Sequence, residues 1–145
     1  MPALHAAFVD AYGLTCDGEW SHGPDDGHFF QHLPQHLAAA NRLEADGVSA
    51  EVIDVATLKP LDSDGLLASV TKTGRCVIVH EAPLTGGVGG EIAARIAERG
   101  LVSLLAPVER VAGWDTVMPL PRLEQQYVPN EARIAAAARR ALAYQ

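Results

Sequence analysis

From about residue 34 onward, apolar positions alternate between a period of about 3.6 and short continuous runs, the pattern of helices alternating with strands of a parallel sheet. Leu37, Ala40 and Leu43 recur at helical spacing behind Pro34, which suits a first helical turn, and Gly47 stands where a helix stops. Residues Gln35–Gly47 are therefore predicted to be helical, and Ser49–Val55 (S-A-E-V-I-D-V) to be a strand ended by Lys59-Pro60. Asp62 or Ser63 is placed to cap a second helix through Leu66, Leu67 and Val70 to a stop at Gly74. Cys76–His80 is apolar at almost every position, as a strand covered on both faces must be. A third helix follows at Glu91–Gly100, with Ile92 and Ile96 on one face and a Glu91–Arg95 pair at i,i+4. Val108–Ala112 reads as a further strand and Gly113–Pro121 as a turn-rich connection. Asn130 is a cap for a last helix with Ile134, Ala138 and Leu142 on one stripe.

With 145 residues and 48% hydrophobic content, the chain suits one domain with a sizeable core. A formal charge of -7 argues against nucleic acid or an anionic membrane as partner and suits a basic protein surface. No apolar run approaches the roughly 18 residues of a membrane span and no signal-peptide pattern opens the chain, so a cytoplasmic protein is expected. Cys16 and Cys76 supply neither a disulfide framework nor a CxxC metal site and read as two free thiols.

The stretch H-E-A-P-L-T-G-G-V-G-G-E-I, His80–Ile92, holds the candidate chemistry. A glycine loop between a strand and a helix has two uses. Gly86, Gly87, Gly89 and Gly90 either cradle an anion with their N–H groups or let chains pack closely, and the absence of a Walker lysine and of G-x-G-x-x-G spacing favours packing. His80 and Glu81 suggest an acid–base pair, but neighbours on a strand point to opposite faces, which favours an interface or strand-end hydrogen-bonding role. Pro83 opens the loop. Asp115 reads as an Asx turn beside Trp114 as a packing anchor. No serine, cysteine or threonine stands in a nucleophile elbow. His28, His32 and His36 fall at i, i+4, i+8, a metal-ligand spacing on a helix, but Pro34 interrupts that helix and no fourth ligand is at hand.

Four ordered motifs, Thr57–Asp62 (T-L-K-P-L-D), His80–Ile92, Gly113–Pro119 (G-W-D-T-V-M-P) and Leu123–Asn130 (L-E-Q-Q-Y-V-P-N), resemble the C-terminal domain of the beta subunit of 2-oxoacid dehydrogenases, of the transketolase C-terminal domain family. The resemblance is to the branched-chain 2-oxoacid and pyruvate dehydrogenase type. The resemblance covers residues 36–145 and departs at Val117, where the family usually has proline. It implies a three-layer α/β/α sandwich with a mixed, mostly parallel sheet of about five strands, the first of which is doubtful here. It also implies that this domain holds no cofactor. Thiamine diphosphate and magnesium in the parent enzyme belong to the alpha subunit and to the N-terminal part of the beta subunit, which become the expected partners.

On this resemblance the chain is non-catalytic. It serves subunit assembly and, through acidic residues such as Glu109, Asp115, Glu124 and Glu131, docking of the peripheral-subunit-binding domain of a lipoyl acyltransferase during oxidative decarboxylation of 2-oxoacids. His80, Glu81, Pro83, the loop glycines, Trp114 and Asp115 become interface candidates, and self-association is expected. A stand-alone module binding a small molecule or anion through Gly86–Gly90 is the alternative. The family's first strand would precede Pro34, where this chain has E-W-S-H-G-P-D-D-G-H-F-F. A one-base shift of compatible codons permits G-x-T-D-L-T-M-V, so residues 1–33 are read as an irregular leader out of frame with the domain at 34–145.

Overall fold

The structure, a computed structural model, describes residues 33–55, 57–117, 119 and 122–145, with main chain alone for 33–36. The out-of-frame leader reading, Cys16, and His28 and His32 lie outside these residues. Two compact units divide between Leu61 and Asp62.

In the first unit, helix α1 (Leu33–Ala45) takes Pro34 in its first turn, where a missing N–H costs nothing. Ala39 and Leu43, one turn apart, are its buried residues. Gly47 adopts a φ of 79°, and Gly47 N and Val48 N donate to Glu44 O and Leu43 O, closing the helix. The strand expected at Ser49–Val55 has no ladder partner among the described residues, and Ile53 is exposed. A strand needs a neighbour, which sequence alone does not supply. Leu58 and Leu61 then bridge across a turn at the cis Lys59–Pro60 peptide.

The second unit opens with the predicted cap: the Asp62 carboxylate accepts from Gly65 N at 2.9 Å and starts helix α2 (Ser63–Thr73). Gly74, at φ 69°, stops it and returns its N–H to Val70 O. Asp62→Ala should cost about 1 kcal/mol by chemical denaturation, with Asp62→Ser retaining most of the stability. No loss in Asp62→Ala would show that the cap is redundant.

Strand β1 (Val77–Pro83) and strand β2 (Glu109–Gly113) pair in parallel, with Val77 opposite Glu109, Ile78 opposite Arg110 and Val79 opposite Val111. The next pair is Pro83 with Gly113, so β1 uses four residues where β2 uses two. This bulge lengthens β1 beyond the expected Cys76–His80. Of β1's apolar residues Ile78 is buried while Val77 and Val79 are half-covered. Helix α3 (Val88–Gly100) is the crossover between the strands. It buries Gly89, Ile92, Ile96 and Gly100 on one face, against β1 and α2. Arg95 pairs with Glu91 at 2.7 Å as the spacing predicts, and Arg99 reaches Asp64 of α2 at 2.7 Å.

A 3-10 turn (Leu101–Ser103), a short helix α4 (Glu124–Tyr127) and helix α5 (Glu131–Ala143) complete the unit. Asn130 caps α5 by accepting from Arg133 N at 3.0 Å. Helix α5 packs on both strands rather than on α2 or α3, so the sheet is covered by different helices. Its buried face is Ile134, Ala135, Ala137 and Ala141, which keeps Ile134 of the predicted stripe but not Ala138 or Leu142, the latter 37% exposed. The rotation brings the small alanines against the strands and sets Arg133 and Arg140 at the edge of the contact. The α/β class with a parallel sheet is present; the described residues contribute two strands to it. Among them no helix is long and apolar enough to cross a membrane.

Candidate functional site

The bulge in β1 carries His80, Glu81 and Ala82, and it is here that the candidate loop begins. Bulges re-aim side chains, and this one lays the His80 ring beneath the loop and the first turn of α3. A Cβ built on Gly87 would come within 2.5 Å of His80 Cε1, and one on Gly89 would meet the opposite edge of the ring. These two glycines thus make room for an imidazole. Gly86 has a different reason, a φ of 74°, with open space around it. A Cβ on Gly90 would meet Arg110 Nη1 at an ordinary contact distance of 3.6 Å. Arg110 in turn donates to Leu84 O at 3.3 Å, tying the loop to β2. Gly113 lies where the Glu81 carbonyl and the buried Tyr127 ring converge.

Both ring nitrogens of His80 are shut from solvent and have no hydrogen-bond partner, although the residue as a whole is only half-buried. Desolvation and then the Arg110 guanidinium hold its pKa below the ordinary value of 6.5. The Ala82 backbone pulls the other way, in a contact too poor to satisfy either nitrogen. The strand-end hydrogen bonding expected of this histidine is therefore not what its ring does. Glu81 is exposed, and its main-chain carbonyl packs at Gly113.

Asp115 is corrected too. Instead of closing a local Asx turn, its carboxylate accepts from Thr85 N at 2.9 Å and Thr85 Oγ1 at 2.7 Å, clamping the loop to the turn after β2. Those two bonds, backbone first, hold its pKa below the ordinary carboxylate value. Trp114 is 56% exposed rather than a buried anchor. Its indole donates to Gln126 O at 3.1 Å and its ring lies 4.6 Å from the Arg133 guanidinium. Arg133 also donates to Tyr127 O, Val128 O and Ala112 O.

Of the acidic candidates, Glu109 is held by Arg140 at 2.7 Å, so it is a strut between β2 and α5 and not a carboxylate open to a partner. Glu124 is exposed in the first turn of α4, and Glu131 lies half-buried in the first turn of α5. Cys76 precedes β1 with its thiol pushed by burial up to about 11, so it stays protonated near neutrality. Among the described residues no three His, Cys, Asp or Glu side chains stand close enough to hold a metal ion. Arg110, Arg133 and Tyr127 escaped the reading of the sequence. The only signal for the arginines was their place opposite a glycine-rich loop and in the first turn of a capped helix.

The comparisons bear on these same residues. Residues 31–134 match the family "Transketolase, C-terminal domain". The chain is similar to the pyruvate dehydrogenase E1 component subunit beta of Staphylococcus epidermidis, 47% identical over 112 residues, 77% of this chain and 34% of the relative. It is 44% identical over 110 residues to the subunit of the same name in Bacillus subtilis, 76% of this chain and 34% of that one. Among solved structures it is similar to a split-gene transketolase described as an inactive beta4 tetramer, with a TM-score of 0.66 and 32% identity over 77% of this chain and 35% of that one. The chain thus spans about a third of the length of the curated relatives it matches.

Proposed function

The chain belongs to the transketolase C-terminal domain family, and from that premise we propose that it is the C-terminal part of the beta subunit of a thiamine-diphosphate-dependent 2-oxoacid dehydrogenase. Its work there is subunit assembly and docking of a lipoyl acyltransferase. The observation that carries this reading is the 44–47% identity to named pyruvate dehydrogenase beta subunits across three-quarters of the chain.

The loop geometry supports a non-catalytic role. A diphosphate with its magnesium needs a cluster of oxygen ligands and free N–H donors around an open cradle. Here the cradle is filled by the His80 ring, and the Arg110 guanidinium is turned to Leu84 O. The residues present do not fit the cofactor, and no step of its chemistry runs through them. Calorimetry with thiamine diphosphate and magnesium should show no saturable binding by the purified chain. Micromolar binding would return the glycine loop to the anion-cradle reading.

Assembly draws on the exposed apolar residues Leu84, Trp114 and Val117, two loops tied together by the Thr85–Asp115 clamp. Large apolar groups left open in this way favour association, so light scattering should find more than a monomer at high concentration. For docking, Glu124, exposed in the first turn of α4, is the group to test, because charge reversal at Glu109 or Asp115 would break the contacts with Arg140 and Thr85 first. Reversal at Glu124 should slow association with the binding domain of the acyltransferase and weaken its salt dependence, leaving dissociation little changed. The same reversal at Glu44 should do neither. Equal effects at both places would assign docking to net charge rather than to this surface.

A further inference from the structure

His80 is a titratable group packed as though it were apolar. Its ring fills the space that Gly87 and Gly89 leave open, and neither nitrogen has a partner. Neutral imidazole tolerates this at the cost of an unmade hydrogen bond. Imidazolium does not, because both of its N–H groups then need acceptors and its charge has lost water. The surrounding charges deepen the penalty. From β2, Arg110 places a guanidinium near enough to act on the ring. From α3, the N-terminus presents the positive end of a thirteen-residue helix whose N-cap, Gly87, brings no side chain to offset it. Glu91, the acidic residue in that first turn, is engaged by Arg95. On β1 the neighbour Glu81 is exposed, and Asp115, beyond β2, is committed to Thr85.

We propose that His80 is a proton-operated latch: its neutral ring seats the Leu84–Gly87 loop and the first turn of α3 against β1, and protonation drives them off. Besides the Arg110 bond to Leu84 O, which does not titrate in this range, the loop is held at two points with different acid sensitivities. His80 is neutral in both folded and unfolded chains above its ordinary value of 6.5, so its seating is fully present there. As pH falls below that value the open state gains the proton first, and the seating weakens until the lower folded-state pKa is passed. The Thr85–Asp115 clamp, with its carboxylate held below the ordinary 3.8, persists through this whole range and fails only in stronger acid. Mild acid therefore frees the α3 end of the loop while its Thr85 end stays tethered. The latch holds whether or not the chain docks an acyltransferase, since none of its parts depends on a partner.

The test is hydrogen exchange on the full chain at about pH 8 and about pH 5.5, corrected for intrinsic rates, reading the amides of Thr85–Glu91 against those of α5. Protection in the loop should drop several-fold on acidification while α5 is unchanged. His80→Phe keeps a ring in the cradle without a titrating group, so its loop protection should be flat with pH. Should that variant fold poorly, the ring signals of the wild-type protein decide the matter by NMR: His80 should titrate below the ordinary histidine value, and Arg110→Gln should move it upward. Loop protection indifferent to pH, a His80→Phe variant with the wild-type pH response, or a His80 that titrates at or above the ordinary value would each overturn the latch.

Discussion

Gly113→Ala should destabilise the Asp62–Gln145 unit by about 3 kcal/mol, near the upper end of what overpacking costs. The added methyl has no way out. On one side it would overlap the Glu81 carbonyl, which is backbone fixed by the bulge of β1. On the other it would come within 2.6 Å of the Tyr127 ring, which is 5% exposed. Neither is the far end of a flexible side chain. Gly90→Ala is the matched control, since its methyl meets only Arg110 Nη1 at 3.6 Å and lies in the first turn of a helix, where alanine is the better residue. Urea denaturation should show a lower midpoint for Gly113→Ala at an unchanged slope, and no loss for Gly90→Ala. Equal stabilities of the two variants would mean that β1 and β2 do not approach as closely at this end as the pairing of Pro83 with Gly113 requires.

Removal of Arg133 should be comparably severe, on the order of 3 kcal/mol, because one guanidinium serves four groups at once. It donates to Ala112 O at 2.5 Å and to Tyr127 O and Val128 O at 3.4 Å each, and it stacks on Trp114. Arg133→Ala leaves three partly buried carbonyls without that donor and frees the indole. Arg133→Lys restores the charge but has neither the planar fork nor the reach to three acceptors, so it should recover less than half of the loss. Tryptophan fluorescence adds a local readout, complicated only by Trp20. An Arg133→Lys protein as stable as wild type would show that charge alone, without the fork, holds this corner.

Much of the helical framework was legible in the sequence because each end carries a local chemical sign. Asp62 and Asn130 cap, Gly47 and Gly74 stop, and Glu91 and Arg95 pair across one turn, all through interactions within five residues. What escaped was long-range. Ser49–Val55 has the composition of a strand, but pairing belongs to a neighbour that composition does not name. Of the stripe predicted for α5, Ile134 is buried, but Ala138 and Leu142 give way to Ala135, Ala137 and Ala141, which the helix turns inward. Asp115 looked local because aspartate so often bonds its own backbone, and its partner Thr85 is thirty residues away. The glycine loop stood out from its position after a strand, and the missing Walker lysine turned its reading toward close packing. That Gly87 and Gly89 answer to His80 depends on the bulge, which moves two residues of register and leaves no mark on the hydrophobic pattern.

The three arginine contacts that bind α5 to β2 and to the segment leading into β1 set the order in which this unit completes itself. Arg133 reaches back 21 residues to Ala112, Arg140 reaches 31 to Glu109, and the Ala141 carbonyl accepts from Arg75 Nε across 66. Contacts of such sequence separation form late and slowly, since the intervening chain must first be closed into a loop. During synthesis, a nascent chain ending before Glu131 would already carry β1, α3 and β2, yet the strand surface later covered by Ile134, Ala137 and Ala141 would still face water. That interval is when the unit is most exposed to proteases and to mispairing with other nascent chains.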